Sequence, residues 1–500
     1  MSQIKAGAKL SYINIVVNTA ITFLYTPFLI SMIGQNEYGL YSLVASVIAY
    51  LSVLDMGFGN AMIRFVAKHQ AHNDAKKIKQ INGTFLLLYS AVGVLSLLIG
   101  AILFLNVDNL FGNSLSVDEL AKARIIMGIL IGTISLSFPL SIFASYAMAS
   151  ERFVILKILD ILKHLAIPAA TIPVLFLGGK SIAVVVVTSI FTLGYGIATM
   201  IYCLKKLRMQ VAFSPKNLDK QLLRSIVAYS FWVFLNIIID NLYNNTDQVI
   251  LGCVKGTSAV AVYAIASKIY SVNLSFSTSI SGLFLPKVAK TLESDGGDKK
   301  VSDIFIQVSR LQLYVMAFIL SAFIVFGRRF INLWVGEDYS DAYFILILLM
   351  APAIVPLTQN ICISIIQAKN RHQFRSIVYI VIALLNIAVS IPLAIRFGGI
   401  GAAIGTAGSN LFGQLLIMNW FYWKKIGIDI PRYWKNFLGF SLPVALLSVT
   451  AYFLTIGMPT SWPILIVSIG VFGIAYSAIV LLYSNSYEKR LFMSLLRLKK

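Results

Sequence analysis

The 500-residue chain is 58% hydrophobic and only 12% charged, with a mean hydropathy of +0.83. A soluble chain carries about 25% charged residues, and a folded domain keeps too much surface in water to hide so much apolar area. A soluble enzyme, a nucleic-acid binder and a disordered regulator are poor readings, and an all-α polytopic membrane protein is expected. The net charge of +21 is therefore weighed first against membrane sidedness and only then against nucleic acid.

The N-terminus, MSQIKAGAK, shows no small-residue cleavage site after its first apolar run, so residues 10–33 are expected to remain as a first helix. Thirteen further apolar runs follow, at 38–64, 81–105, 123–148, 154–177, 181–204, 225–251, 259–285, 304–327, 342–367, 375–395, 399–422, 437–456 and 463–483. Each exceeds what a barrel strand needs and suits a spanning helix. Fourteen spans put both termini on one side. With the N-terminus inside, 31 of the 41 Lys and Arg fall in inside segments and 7 in outside ones. That asymmetry predicts cytoplasmic termini in the cytoplasmic membrane. It accounts for most of the basic charge without nucleic acid, and the inside loops would also attract anionic membrane lipids.

Three cations remain within spans: Lys163, Lys268 and Arg310. No loop is long enough to fold as a soluble domain. The organisation expected is an N-terminal lobe (1–204, helices 1–6), a basic cytoplasmic linker (205–224), a C-terminal lobe (225–423, helices 7–12), and two extra helices with a basic tail (424–500). The halves resemble each other. A shift of 222 residues puts Gly34 on Gly256, Tyr41 on Tyr263, Val66-Ala67-Lys68 on Val288-Ala289-Lys290, Asn14 on Asn236 and Asn18 on Asp240. A shift of 220 puts Gly178-Gly179 on Gly398-Gly399. Six helices separate equivalent positions, so the repeats run parallel, as in some transporter folds.

The first span carries a polar stripe of Ser11, Asn14, Asn18, Thr22 and Tyr25, within an arc of roughly 80° on one helix face. Its counterpart in span 7 is Asn236, Asp240, Asn244 and Asp247, broadened by Asn241 and Asn245. In hydrocarbon such groups must face protein or water, which points to a central cavity. Interhelical hydrogen bonding is the competing reading. Asp240 sits near the middle of span 7 and Lys268 near the middle of span 8. Lys268 is read as a contact for an anionic substrate, as a partner of Asp240 or Asp247, or as a lysine reaching to the interface.

In span 5, Asp160, Lys163 and His164 share a face, as a substrate or proton-relay group or as a self-neutralised ion pair. Arg64, at the inner end of span 2 beyond Gly57 and Gly59, and Arg310, early in span 9, are each either phosphate contacts or interfacial anchors. There is no GxxxxGK[ST] and no HExxH, and the three cysteines lie far apart, so neither a built-in ATPase nor a metal centre is expected. The run GGIGAAIGTAG at 398–408 follows no strand, so it reads as a close helix-packing surface and not as a nucleotide loop.

The segment TPFLISMIGQNEYGLYSLVASVIAYLSVLDMGFGNAMIRFVAK resembles the opening of the polysaccharide transporter family, the Wzx-type flippases. These share a superfamily with the multidrug-and-toxin extruders and the lipid II flippases. YNNTDQVILGCVKGTSAVAVYAIASKIY (243–270) and QAKNRHQF (367–374) are similar to that family too. The resemblance implies two six-helix lobes around a central cavity and transport of a polyprenyl-diphosphate-linked oligosaccharide to the outer leaflet for surface polysaccharide assembly. It also implies alternating access coupled to an H+ or Na+ gradient, no bound cofactor, and a polysaccharide polymerase and glycosyltransferases as neighbours in the process. Lumen cations would meet the sugar diphosphate; the matching positions are Arg64, Lys163, Lys268 and Arg310. The chain departs from the family in having few such cations and a carboxylate, Asp240. A multidrug or cation antiporter would need lumen carboxylates, and span 1 has none. A lipid II flippase would favour a more basic lumen. A polytopic polysaccharide polymerase would need a large polar loop or an acidic site, and the longest loops lack both.

Overall fold

The structure is a computed structural model that describes residues 3–212, 220–282, 284–292, 297–369 and 371–490. Among the described residues all regular structure is helical, as a bilayer demands of a chain whose backbone polar groups must be satisfied internally. The helices fall into two compact units, residues 1–264 and 265–500.

The first unit begins with α1 (Gln3–Ile33), a turn at Gly34, and α2 (Gln35–Ala49). The second apolar run of the sequence is not one straight helix. A 3-10 turn over Tyr50–Asp55 and left-handed residues at Met56 (φ 49°) and Gly57 (φ 73°) separate α2 from α3 (Phe58–Ala71). Glycine tolerates that conformation. Then come α4 (Ala75–Leu105), the short α5 (Val107–Phe111), α6 (Val117–Ala149), α7 (Phe153–Phe176), α8 (Ser181–Lys205) and α9 (Lys220–Val254). The core of this unit is built where α3, α4 and α6 meet, on Met62, Phe85, Tyr89, Ile142 and Phe143.

In the second unit lies most of α10 (Thr257–Gly282), then α11 (Leu285–Leu292) and α12 (Gly297–Val335). The tenth apolar run is also broken, into α13 (Asp341–Thr358) and α14 (Ile361–Ala368). Helix α15 (His372–Asn410) kinks at Gly398, whose backbone is non-helical, and continues through π-helical turns at Leu411–Met418 and Tyr422–Ile426 around the single turn α16 (Asn419–Phe421). Helices α17 (Ile430–Thr455) and α18 (Trp462–Tyr483) close the unit, packing Phe440 and Phe472 against Tyr314 and Phe326 of α12. Twelve helical segments among the described residues are long and apolar enough to cross a membrane. One of them, 373–426, is two helices joined at Gly398, and the charged α7 spans a further 24 residues. With both counted, the total is fourteen.

The internal repeat is written into the element boundaries. Helices α2 and α10 begin at residues 35 and 257, 222 apart. The turn glycines Gly34 and Gly256 share a φ of 84° and 83°, a conformation that costs a residue with a Cβ about 1 kcal/mol or more.

The glycine run after the kink packs helix on helix. A Cβ at Gly401 would lie 2.0 Å from the Leu393 carbonyl oxygen, and one at Gly405 would lie 2.2 Å from Ser390 Oγ. The two arms are joined by the Thr406 hydroxyl donating to Asn386 Oδ1 and the Ser390 hydroxyl donating to the Ala402 carbonyl at 3.3 Å. Close approach through small residues is how membrane helices associate. Gly401→Ala should therefore destabilise the purified protein by about 1–3 kcal/mol, read as a lower melting temperature in detergent. Gly408→Ala, where a Cβ meets open space, should leave the melting temperature unchanged or slightly raised.

Candidate functional site

The polar stripe of α1 is engaged toward its N-terminal end. Asn14 donates through Nδ2 to Asp160 Oδ2 of α7 at 2.8 Å. Lys163 Nζ lies 3.0 Å from the other Asp160 oxygen, and His164 Nε2 3.6 Å from it. The Lys163 ammonium also sits over the Tyr195 ring of α8 at 5.0 Å. Asp160 and Lys163 neutralise each other within a cluster of five groups on three helices, and Lys163 is half-buried there.

Further along α1, Asn18 is exposed. The exposed apolar residues of the same helix, Ile13, Val16 and Leu24, fall on the opposite face at about 100° per residue. Helix α9 repeats the arrangement. Asp240 and Asn244 are exposed and Asn236 is half-buried, whereas the exposed apolar Val227 and Phe231 lie on the far side. The face a helix turns to lipid is the apolar one, because a polar side chain against hydrocarbon is strongly disfavoured. The polar faces of α1 and α9 are thus turned away from lipid yet open. The added amides Asn241 and Asn245 are satisfied along α9 itself, Asn241 donating to Ile237 O and Asn245 to Asn241 Oδ1.

The C-terminal end of α9 is different. Asp247 is only 4% exposed and accepts from the Tyr263 hydroxyl. Beside it, Tyr50 and Thr246 share a 2.6 Å hydrogen bond, and Ser46 donates to Gln248 at 2.9 Å. Asp247 is thus placed in a packed polar seam, apart from the open face that carries Asp240. Arg64 is exposed on α3, and Lys268 is half-buried on α10.

Two ionic clusters escaped the sequence reading. At the end of the first unit where α2, α6 and α8 begin, Glu37 accepts from Lys122 at 2.7 Å and from Ser181. On the next turn, Glu119 closes a capping box with Ser116 and accepts from Thr257 Oγ1 at 2.7 Å, while Ser114 donates to the Gly252 carbonyl. The spacing Ser-x-x-Glu before an apolar run was the available signal. In the second unit, Arg310 is gripped by Glu488 (2.7 and 3.0 Å), Asn436 (3.1 Å), the Tyr314 hydroxyl (2.8 Å) and the Tyr483 carbonyl (2.7 Å). Its guanidinium ties α12 to α17 and to the segment after α18, and that commitment fits an anchor better than a phosphate contact. Among the described residues, no three His, Cys, Asp or Glu side chains gather as a metal site, and all three cysteines are free.

The carboxylate of Glu488 is 1% exposed, so removing it strands a charge. Glu488→Ala should lower stability by about 3 kcal/mol. Arg310→Ala should do the same, and the double variant should lose clearly less than the sum of the two. Thermal melting of the purified variants checks this, and additive losses would contradict the coupling.

Residues 6–292 match the family described as polysaccharide biosynthesis protein. A Shigella flexneri protein named provisionally as an O-antigen transporter is 20% identical over 407 residues, 80% of this chain and 93% of that one. A Haloferax volcanii protein named provisionally as a flippase of low-salt glycan biosynthesis is 23% identical over 227 residues, 45% of this chain and 46% of that one. Among solved structures, the lipid II flippase MurJ in an inward closed conformation superposes with a TM-score of 0.72 over 95% of this chain and 98% of that one, at 16% identity. That likeness concerns the fold. Because the family match covers more than half of its length, the chain belongs to the polysaccharide biosynthesis protein family of polytopic membrane proteins.

Proposed function

We propose that this chain is a flippase that moves polyprenyl-diphosphate-linked oligosaccharide from the inner to the outer leaflet of the cytoplasmic membrane, both termini being cytoplasmic. The observation that carries the reading is the pair of open polar faces on α1 and α9, each turned away from its own lipid-facing side. A sugar chain with a diphosphate needs a hydrated, hydrogen-bonding path through hydrocarbon, since burying it without partners is prohibitive. Asn18, Asn236, Asp240 and Asn244 supply amides and a carboxylate for hydroxyl-rich cargo. Lys268 is the cation best suited to the diphosphate, with Lys163 and Arg64 on the way in. In this reading the lobes 1–204 and 225–423 work as the two halves of an alternating-access device, driven by an H+ or Na+ gradient. The names of the Shigella and Haloferax relatives and family membership support the cargo class. Supply and use of the cargo would fall to glycosyltransferases and a polymerase.

In cells without the protein, lipid-linked oligosaccharide should accumulate on the inner leaflet, and surface polysaccharide should disappear. Lys268→Ala, still inserted, should reproduce that accumulation, while Lys268→Arg retains partial export. Unchanged leaflet distribution in the deletion strain would overturn the proposal.

The hydrated path has its own check. Cysteines at Asn18 and Asp240 should react with a small water-soluble thiol reagent, and a cysteine at Val16 should not. Equal protection at all three positions would place the polar faces outside a water-filled path.

A further inference from the structure

Seven cations of the second unit lie around the start of α15 and the start of α17, at the end that the basic asymmetry assigns to the cytoplasm: Lys369, Arg371, Arg375, Lys424, Lys425, Arg432 and Lys435. Two of them, Lys424 and Lys425, lie over exposed tryptophan rings, and Lys369 donates to the Ile426 carbonyl beside them. Helix α15 and the π-helical end of its continuation are locked together there by Phe374 stacked on Phe421, with centroids 4.2 Å apart and planes at 16°. On that scaffold Trp420 and Trp423 remain 48% and 47% exposed. The Lys424 ammonium sits over the Trp423 ring at 3.7 Å, and that of Lys425 lies 6.0 Å from the Trp420 ring. A π-helical turn pairs residues five apart, and that register brings Lys425 under Trp420. Arg371 is exposed at the facing helix start, and Arg375 lies one turn further in, over the Tyr379 ring.

The depth of this surface is set by what lies beside it. Exposed apolar residues run along both helices from the patch toward the middle of the span: Ile377, Val381 and Leu384 on α15, Phe412 and Leu416 on its continuation. Such stripes face hydrocarbon. Where they stop, tryptophans and cations begin, which is the order of acyl chain and headgroup in a lipid. Tryptophan rings favour that level, and clustered cations there draw anionic headgroups.

We propose that Arg371, Lys424 and Lys425, set around Trp420 and Trp423, form a binding surface for the phosphate headgroup of an anionic phospholipid, on the lipid-facing side of the second unit. The surface is separate from the transport path, and its occupancy does not depend on which cargo is carried. Its assignment to the inner leaflet rests on the topology adopted above.

The test uses the full-length protein in nanodiscs of phosphatidylcholine with a minor share of brominated phosphatidylglycerol. The reference is the same share of brominated phosphatidylcholine. The quenching lost in a Trp420→Phe/Trp423→Phe variant is the signal of the patch. In the wild type, that signal should show stronger quenching by the anionic lipid. In Arg371→Gln/Lys424→Gln/Lys425→Gln the preference should vanish, at about fivefold per cation removed. Quenching by brominated phosphatidylcholine should persist there, showing that the variant is folded and inserted. Equal quenching by both lipids in the wild type, or a preference surviving in the triple variant, would overturn the proposal. So would displacement of the brominated phosphatidylglycerol by an equal amount of undecaprenyl diphosphate, which would assign the surface to cargo. These readouts use no export assay, so their failure and failure of the flippase reading are distinguishable.

Discussion

The absence of water from the hydrocarbon core governs the rest of the structure. It requires each backbone amide to be bonded within its own helix, and it makes each polar side chain choose among a partner, a hydrated space or the interface. The chain uses all three outlets. Asp160 finds partners in Asn14 and Lys163, and Arg310 finds them in Glu488 and three neighbours. Asn18 and Asp240 stay open on faces turned from lipid. Lys424 and Lys425 lie at the edge, over tryptophan rings. Function is read from the second group because its exposed polar atoms are within reach of a hydrated cargo.

Much of the fold was legible because its causes are local or periodic. The apolar runs marked the spans. Gly34 and Gly256, equivalent in the repeat, also share an uncommon backbone conformation, so a sparse sequence identity at those positions carried real structural content. The glycines after Gly398 were legible as a packing surface because only a missing Cβ lets Leu393 O come so near Gly401. The breaks at 50–57 and 359–360 were harder to see. Both lie inside runs that remain apolar throughout, and hydropathy registers burial while staying blind to a local change of helical register.

The site was legible as faces and illegible as pairings. Amphipathic spacing along one helix put Asn18 and Asp240 on the polar sides of their helices. It could not distinguish Asp247, seven residues on and on the same arc, whose hydroxyl partner Tyr263 arrives from another helix. Nor could it join Glu37 to Lys122, 85 residues apart, or Arg310 to Glu488, 178 apart. Such pairs are set by which helix ends meet, and a single chain gives no signal for that.

The repeat and the packing also divide the chain at different places. By sequence, α9 opens the second repeat; by contact, it belongs with the first unit, held through Ser46–Gln248, Tyr50–Thr246 and Ser114–Gly252. At the next turn Gly39 leaves no room for a Cβ beside the Thr257 carbonyl, and Glu119 accepts from the Thr257 hydroxyl. Of these contacts, those of α9 itself lie in its last third, and Asn236, Asp240 and Asn244 lie around its middle. The N-terminal half of α9 is packed as well: Ile226 is fully buried in the core of the first unit, and Val233 leaves no room for a Cβ at Gly57. The bonds that hold the last third are neutral hydrogen bonds or a single carboxylate–hydroxyl contact, each worth about 1–3 kcal/mol. The buried Arg310–Glu488 pair is of another kind, since opening it would strand a charge away from water. The repeat therefore does not decide which unit a helix joins; the side chains it meets do.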